Sequence, residues 1–316
     1  VKKQEETLAE THFRFPGQTG FYRGKVRDVY YFGKRMAMVA SDRISAFDVV
    51  LPRAIPHKGA ILNQLAAYFL EATREEVPNW LEKVPDPNVS FGRVCQPVPV
   101  EMVVRGHLTG HAWRTYQSGG RKLCGVAMPD GMREFDAFPT PILTPTTKAS
   151  EGHDQDISRE EILALGLATP TCYQTMERYA LTLFERGREM AAARGLILAD
   201  SKYEFGLLDG QVCLMDEIHT PDSSRYYYSE GFSEALQEGR TPRQLSKEFV
   251  RNWLMERGFS GKEGQPAPEM SDEFVHEVSD RYCELFRTLT GREPFLILEP
   301  GIAGRIEKSI FGVLNS

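Results

Sequence analysis

The chain has 316 residues, 41% hydrophobic and 26% charged, a length that suggests about two domains and a composition too apolar for a disordered chain. Its 38 Lys and Arg stand against 44 Asp and Glu, a formal charge of −6, so there is no global basic field for a nucleic-acid backbone, and only local basic clusters for small phosphates are left open. The longest apolar runs fall far short of the roughly 20 residues of a membrane helix, and Val1-Lys2-Lys3 opens no signal-like apolar stretch, so a cytoplasmic protein with no membrane partner is expected.

The elements read as a mosaic of strands and helices. Gly24-Lys25-Val26-Arg27-Asp28-Val29-Tyr30-Tyr31-Phe32 alternates charged and apolar residues, Gly33-Lys34 punctuates, and residues 36–40 read as the second strand of a hairpin. Ile61, Leu62, Leu65, Tyr68 and Phe69 fall at helical spacing over 58–74, and Pro78, Pro85 and Pro87 then break the chain. Residues 98–104 read as a buried strand. The Pro- and Gly-rich stretch 128–150 reads as a long ordered loop, and 128–154 as a candidate lid. Ser158-Arg159-Glu160-Glu161 fits a capping box opening a short helix, and a long helix over 171–194 stops at Gly195. Strands over 196–207 and 211–218 are joined across Asp209-Gly210, a strong hairpin signal. Helices near 242–257 and 271–289 form a C-terminal helical region, and the pattern beyond Gly291 specifies nothing.

Cys95, Cys124, Cys172, Cys213 and Cys283 are odd in number and widely spaced, without a Cys-x-x-Cys pair, and read as reduced thiols. The seven His residues form no His-Glu-x-x-His helix, so any metal is expected to be a hard cation on carboxylates.

The most informative segment is Asp200-Ser201-Lys202-Tyr203-Glu204-Phe205-Gly206. Strand alternation puts Asp200, Lys202 and Glu204 on one face and Tyr203 and Phe205 on the other. The partner strand carries Asp216 and Glu217, so Glu204 and Asp216 are a candidate Mg²⁺ pair of the kind used with nucleotide phosphates. Register decides this. A two-residue Asp209-Gly210 loop pairs Glu204 with Met215 and leaves Asp216 on the opposite face, so the pair requires a three-residue loop with a bulge. A solvated charged strand face explains the same pattern about as well.

Three further clusters carry charge in turns. In Tyr22-Arg23-Gly24-Lys25-Val26-Arg27-Asp28 a Gly beside alternating basic residues suits an anion, although this is not a P-loop and a solvated basic face is the commoner origin of such a pattern. Arg105 follows a buried strand into a Gly-punctuated turn, where it suits either phosphate or a structural carboxylate. Lys148, His153 and Asp154 lie in the long loop, and Asp222-Ser223-Ser224-Arg225 in an exposed turn.

Together these segments resemble the SAICAR synthetase (phosphoribosylaminoimidazole-succinocarboxamide synthase) family. The resemblance is carried by Tyr22 to Tyr30, by Ser41-Asp42-Arg43-Ile44-Ser45-Ala46-Phe47-Asp48, by Pro99-Val100-Glu101-Met102-Val103-Val104-Arg105 and by Thr144 to Ser158. Leu198 to Gly206 and Asp216 to Arg225 complete it. It implies the single-function form: an α+β fold with a small antiparallel-sheet lobe, a larger α+β lobe, a kinase- or ATP-grasp-like nucleotide cleft and a C-terminal helical region. The corresponding expected organisation is an N-terminal sheet lobe over 1–97, a central lobe over 98–225, and a helical region over 226–316 packed on the central lobe.

The resemblance also implies the chemistry. ATP with Mg²⁺ activates the carboxylate of carboxyaminoimidazole ribonucleotide (CAIR) as an acyl phosphate, and L-aspartate supplies the amine. The expected partners are these small molecules alone, the chain being a monomer or small homo-oligomer. Gly24, Lys25, Val26, Arg27 and Lys148 match nucleotide-binding positions, and Glu204 and Asp216 match positions for Mg²⁺ and nucleotide. Asp200, Lys202 and Glu204 match catalytic segments. Ser41, Asp42, Arg43, Arg105, Asp154, Ser224 and Arg225 match the substrate side. His111 departs from the pattern, since the family usually has Ser after Thr-Gly; it either replaces the hydroxyl donor with a ring N–H or marks a rearranged phosphate contact. A small-molecule phosphotransferase using the same cleft is the alternative, but the His-Arg-Asp-x-x-x-x-Asn pattern of protein kinases is missing. A nucleotide-binding module without catalysis is the third reading.

Overall fold

The computed structural model describes residues 6–47, 49–148, 154–245, 247–262 and 264–315; His153 lies outside them. Strands β1 (Gly20–Arg23), β2 (Arg27–Phe32), β3 (Arg35–Ala40), β4 (Ser45–Ala46) and β5 (Val49–Val50) precede helix α1 (Lys58–Ala72). Strands β6 (Leu81–Asp86), β7 (Val89–Arg93) and β8 (Gln96–His107) follow, then α2 (Gly110–Gln117), β9 (Lys122–Leu123), β10 (Val126–Ala127), β11 (Ala137–Leu143) and β12 (Thr146–Thr147). Helices α3 (Arg159–Ala164) and α4 (Pro170–Ala192) lead into β13 (Leu196–Leu208), β14 (Gln211–Met215) and β15 (Ser224–Tyr228). Helices α5 (Phe232–Gln237), α6 (Glu248–Glu256), α7 (Asp272–Thr290) and α8 (Ile302–Leu314) come last. No helix among the described residues is long and apolar enough to cross a membrane.

The chain divides into two compact units, one of Val1–Tyr68, Leu81–Val94 and Lys247–Ser316, the other of Phe69–Trp80 and Cys95–Ser246. The expected organisation places its boundaries at 97 and 225 instead. Residues from Lys247 onward fall in the first unit. The apolar side of α8 explains this: Ile306 and Ile310 are fully buried with Tyr30, Ala37, Val39 and Phe91, burial that a lone amphipathic helix cannot achieve in water.

In the first unit an antiparallel sheet runs β1-β2-β3-β7-β6. The β1–β2 hairpin ends in the loop 24–27, closed by the Gly24 N–H donating to the Arg27 carbonyl at 2.8 Å.

In the second unit the sheet order is β11-β8-β13-β14, with β12 against β8 and β15 against β13. β13 is its spine. Tyr203 and Phe205 are fully buried on its apolar face, where Tyr179 of α4 lies 6.3 Å from Phe205, ring to ring. The long loop expected over 128–150 is instead partly strand, β11 and β12, because Ile142 and Leu143 pair with Arg105 and Val104 of β8 in spite of the flanking prolines. The β13–β14 turn is the two-residue form: Leu208 pairs with Gln211, and Asp209 and Gly210 have φ of 50° and 82°, the left-handed pair that a type I′ hairpin requires.

Candidate functional site

The charged face of β13 is organised by its pairing with β8, which sets Glu204 opposite Glu101 and Asp200 opposite Arg105. Two buried like charges directly across a ladder repel, and Lys202 resolves this rung. Its Nζ lies 2.7 Å from Glu101 Oε1 and 2.9 Å from Glu204 Oε1, and Lys148 pairs with Glu204 Oε2. Burial pushes the Glu204 carboxyl up, but Lys202 and Lys148 overcome it and bring it down to about 2. Burial likewise raises Glu101, and Lys202 offsets this only in part, so that Glu101 stays above the ordinary carboxylate range. Burial alone would lower Lys202, yet the two carboxylates hold it well above its usual value.

The expected condition for pairing Glu204 with Asp216 is not met, because the turn is the even one and Glu204 faces Met215. Asp216 acts on the rung through its charge. It lies past the end of β14 with φ 58°, so strand alternation no longer governs its direction, and its charge raises both Lys148 and Lys202. Its carbonyl is tied down by the Trp80 indole N–H at 2.8 Å. Asp154, exposed, acts electrostatically on Glu101.

The second rung carries two arginines on one carboxylate. Arg225 donates to Asp200 Oδ2 at 2.6 Å, Thr109 donates to the same oxygen at 3.1 Å, and Arg105 lies 3.7 Å from it while its Nε donates to the Thr144 hydroxyl at 2.8 Å. A β-bulge makes this possible. Leu198 pairs with Tyr226 but Asp200 with Arg225, an extra residue on β13 that turns Arg225 onto the Asp200 side. Gly110, at φ 54°, leaves the room, since a Cβ there would lie 2.3 Å from the guanidinium. Two guanidiniums on one carboxylate leave a net positive charge suited to an anion. His111 follows Gly110 in the chain, its Nε2 2.7 Å from Asp156 Oδ2. Ser224 gives its hydroxyl to Ser201 at 2.9 Å across the strand pair.

The loop joining the rungs is anchored at His219, a fully buried ring 5.1 Å from Phe69 and 5.5 Å from Tyr203. It fills the space that Gly187 of α4 leaves, where a Cβ would lie 2.3 Å from the imidazole. Its carbonyl accepts from the Tyr226 hydroxyl at 2.8 Å.

In the first unit, Lys25 is exposed while Val26 and Arg27 are half-buried. Ser41, Asp42 and Arg43 act on the chain itself. Arg43 donates to the Gly24 and Lys25 carbonyls at 3.0 Å and to buried Asp28 at 2.8 Å, Ser41 donates to the Val26 carbonyl at 2.8 Å, and Asp42 accepts the Leu8 and Gly59 N–H groups at 2.7 and 2.8 Å. Ser41 and Arg43 thus stiffen the 24–27 turn, while Asp42 is tied to Leu8 and Gly59.

Glu101 is the site residue the motifs did not single out. Its signal was present, a lone acid at strand spacing from Arg105 on β8, but only the pairing with Glu204 gives it meaning.

The family profile for SAICAR synthetase matches residues 20–268. The chain belongs to the SAICAR synthetase family. It is 59% identical over 312 residues to the phosphoribosylaminoimidazole-succinocarboxamide synthase of Bacteroides thetaiotaomicron, covering 98% of this chain and 99% of the relative. It is 56% identical to that of Cytophaga hutchinsonii, covering 97% and 99%. Among solved structures, the SAICAR synthase of Saccharomyces cerevisiae, complexed with SAICAR, superposes with a TM-score of 0.78 at 28% identity, covering 91% of this chain and 99% of that one. The SAICAR synthetase fold is thus the α+β arrangement of antiparallel sheets and C-terminal helices described above.

Proposed function

We propose that this SAICAR synthetase family member is an ATP-dependent carbon–nitrogen ligase of purine biosynthesis, acting in the cytoplasm, that joins CAIR and L-aspartate into SAICAR with release of ADP and phosphate. The observation that carries the reading is the pair of charged rungs on one sheet face. Glu204 lies four positions after Asp200 on β13, about 13 Å at strand rise. A substrate with a phosphate at one end and a carboxylate at the other suits such a face, its phosphate beside Arg105 and Arg225 and its carboxylate toward Lys202.

At the Glu101–Glu204 rung the donors are hard carboxylate oxygens, the type Mg²⁺ takes one or two of while phosphates and water complete its shell. Glu204 and Asp216 would hold the ion, and its chemistry there is neutralisation of polyphosphate charge. Lys148, paired with Glu204, would give its charge to a phosphate oxygen of the nucleotide.

The γ-phosphate passes to the CAIR carboxylate, the aspartate amine attacks the acyl carbon, and the C–O bond to phosphate breaks with its electron pair on phosphate. Glu101, raised by burial, takes the amine's proton. Lys202 orients both carboxylates, and Asp200 holds the arginines in place. Lys25 and Arg27 are nucleotide contacts of the first unit, pre-set by Arg43.

The test is ADP release from Mg-ATP and CAIR, with and without L-aspartate, while product is followed by mass. One SAICAR per ADP, dependent on aspartate, is expected. ADP release to a phosphorylated product without aspartate would indicate a phosphotransferase instead.

A further inference from the structure

The family match covers residues 20–268, so two flanking segments of this chain, 6–19 and α8, lie outside it, and they meet on the first sheet. Leu8 and Phe15 are buried with Ile306 and Ile310 of α8, and the Phe15 and Phe311 rings lie 5.1 Å apart. The Glu6 carboxylate accepts the Gly301 and Ile302 N–H groups at 2.6 and 3.3 Å, at the start of α8, where backbone donors have no partner within the helix. Between these anchors the segment is tied to the 24–27 turn. Three successive carbonyl oxygens of that turn, groups that repel phosphate, are taken up by Arg43 (Gly24 and Lys25) and Ser41 (Val26). Arg43 is aimed by two acceptors beyond the turn, the Ala9 carbonyl and Asp28 Oδ1. Asp28 is fully buried, and burying a carboxylate is costly unless its oxygens are hydrogen-bonded. Oδ1 takes Arg43 at 2.8 Å, with Arg23 3.4 Å away. Oδ2 takes both the N–H and the hydroxyl of Thr11, each at 2.8 Å. The same hydroxyl accepts from Tyr30 at 2.8 Å, so its own proton is left for Asp28, and Arg23 holds the Thr11 carbonyl at 2.8 Å.

We propose that Thr11 is a positioning residue for the nucleotide: through Asp28 and Arg43 it keeps the carbonyls of the 24–27 turn engaged, and α8 holds the segment that carries it. This rests on the reading that the turn contacts ATP. Thr11 acts through Asp28 rather than on the ligand. A turn set before the nucleotide arrives has less conformational freedom to lose on binding, and the difference is read as affinity. The hydroxyl is the part of Thr11 that matters, since a buried carboxylate oxygen deprived of one of its two donors no longer fixes the guanidinium opposite it.

The experiment compares the native full chain with Thr11→Val, which keeps the shape and loses the hydroxyl, and Thr11→Ser, which keeps the hydroxyl and loses the methyl group. Calorimetry gives the Kd for Mg-ADP, and steady-state kinetics give kcat and the KM values for ATP and CAIR. Thr11→Val should weaken Mg-ADP ~10-fold, the size of one hydrogen bond to a charged group, and raise the KM for ATP in step, with kcat and the KM for CAIR unchanged. Thr11→Ser should match the native chain. In an Arg43→Met background Thr11→Val should weaken Mg-ADP no further, because the path to the turn is already cut. A native Kd in Thr11→Val, equal losses in Thr11→Val and Thr11→Ser, or equal rises in both KM values overturns the proposal. Because nucleotide binding is read without turnover, a native chain that binds Mg-ADP but forms no SAICAR would count against the ligase reading, whereas SAICAR formation with an unchanged Kd in Thr11→Val would count against the role of Thr11 alone. If Thr11→Val does not fold, Tyr30→Phe, which removes the donor to the same hydroxyl, carries the comparison. Its Kd should rise about threefold, as for a neutral hydrogen bond, and a Kd equal to native overturns the proposal.

Discussion

Replacing Lys202 by Met removes the one cation that touches both facing carboxylates. In the native chain Glu204 is held at about 2 against an ordinary 4.5, a difference of roughly 2.5 pH units or about 3 kcal/mol of stability at pH 7. Breaking a buried pair by removing one partner typically costs about 3–5 kcal/mol, and a loss in that range is expected here. The pH dependence is more diagnostic than the size. Glu204 has a depressed folded-state pKa, so in the native chain its contribution is present above about pH 4.5 and is lost as pH falls toward 2. In Lys202→Met, Glu101 and Glu204 face each other with only Lys148 on the outer oxygen, and the pair binds a proton above the ordinary carboxylate range. The variant should therefore gain stability relative to native as pH falls from 7 to 5. Urea denaturation at pH 7, 6 and 5 reads both quantities. A loss under about 1 kcal/mol at pH 7, with parallel pH profiles for the two proteins, would refute the claim that Lys202 holds a repelling pair together.

Two further expectations test the other rung and the loop anchor. Gly110→Ala places a Cβ on the Arg225 guanidinium at a left-handed φ, and should raise the KM for CAIR ~10-fold with little change in that for ATP; an unchanged CAIR KM would show that Arg225 does not act from this position. Burial lowers the pKa of His219 to about 3, so its contribution is complete above pH 6.5 and declines as pH falls toward 3, by about 5 kcal/mol in all. His219→Leu should lose the corresponding one-proton slope in folding free energy between pH 6 and 4, and an unaltered slope would rule out the buried neutral ring.

Much of the fold was legible because its elements obey local rules. The alternation in β2 and β13, the apolar spacing in α1, the Ser158 capping box and the Asp209-Gly210 turn all stand where pattern puts them. What was not legible depends on partners distant in sequence. β11 reads as loop because prolines interrupt it, and only β8 makes it a strand. α8 has no clear prior until the first sheet offers it an apolar face. In the site, the shared face of Asp200, Lys202 and Glu204 followed from strand periodicity. Glu101 needed the β8–β13 register, and the Asp200–Arg225 contact needed a bulge that no local pattern announces. Asp216 shows how a rule gives way: the even turn directs it away by alternation, and a single left-handed residue cancels that rule.

The ring of His219 and the bare Cα of Gly187 occupy one volume between them. Neither position can drift alone: a methyl group at 187 collides with the imidazole, and a smaller residue at 219 leaves a void beneath the loop that links the two rungs. Substitutions here must arrive as a compensating pair, so across descendants of this chain the two positions should covary although 32 residues of sequence separate them.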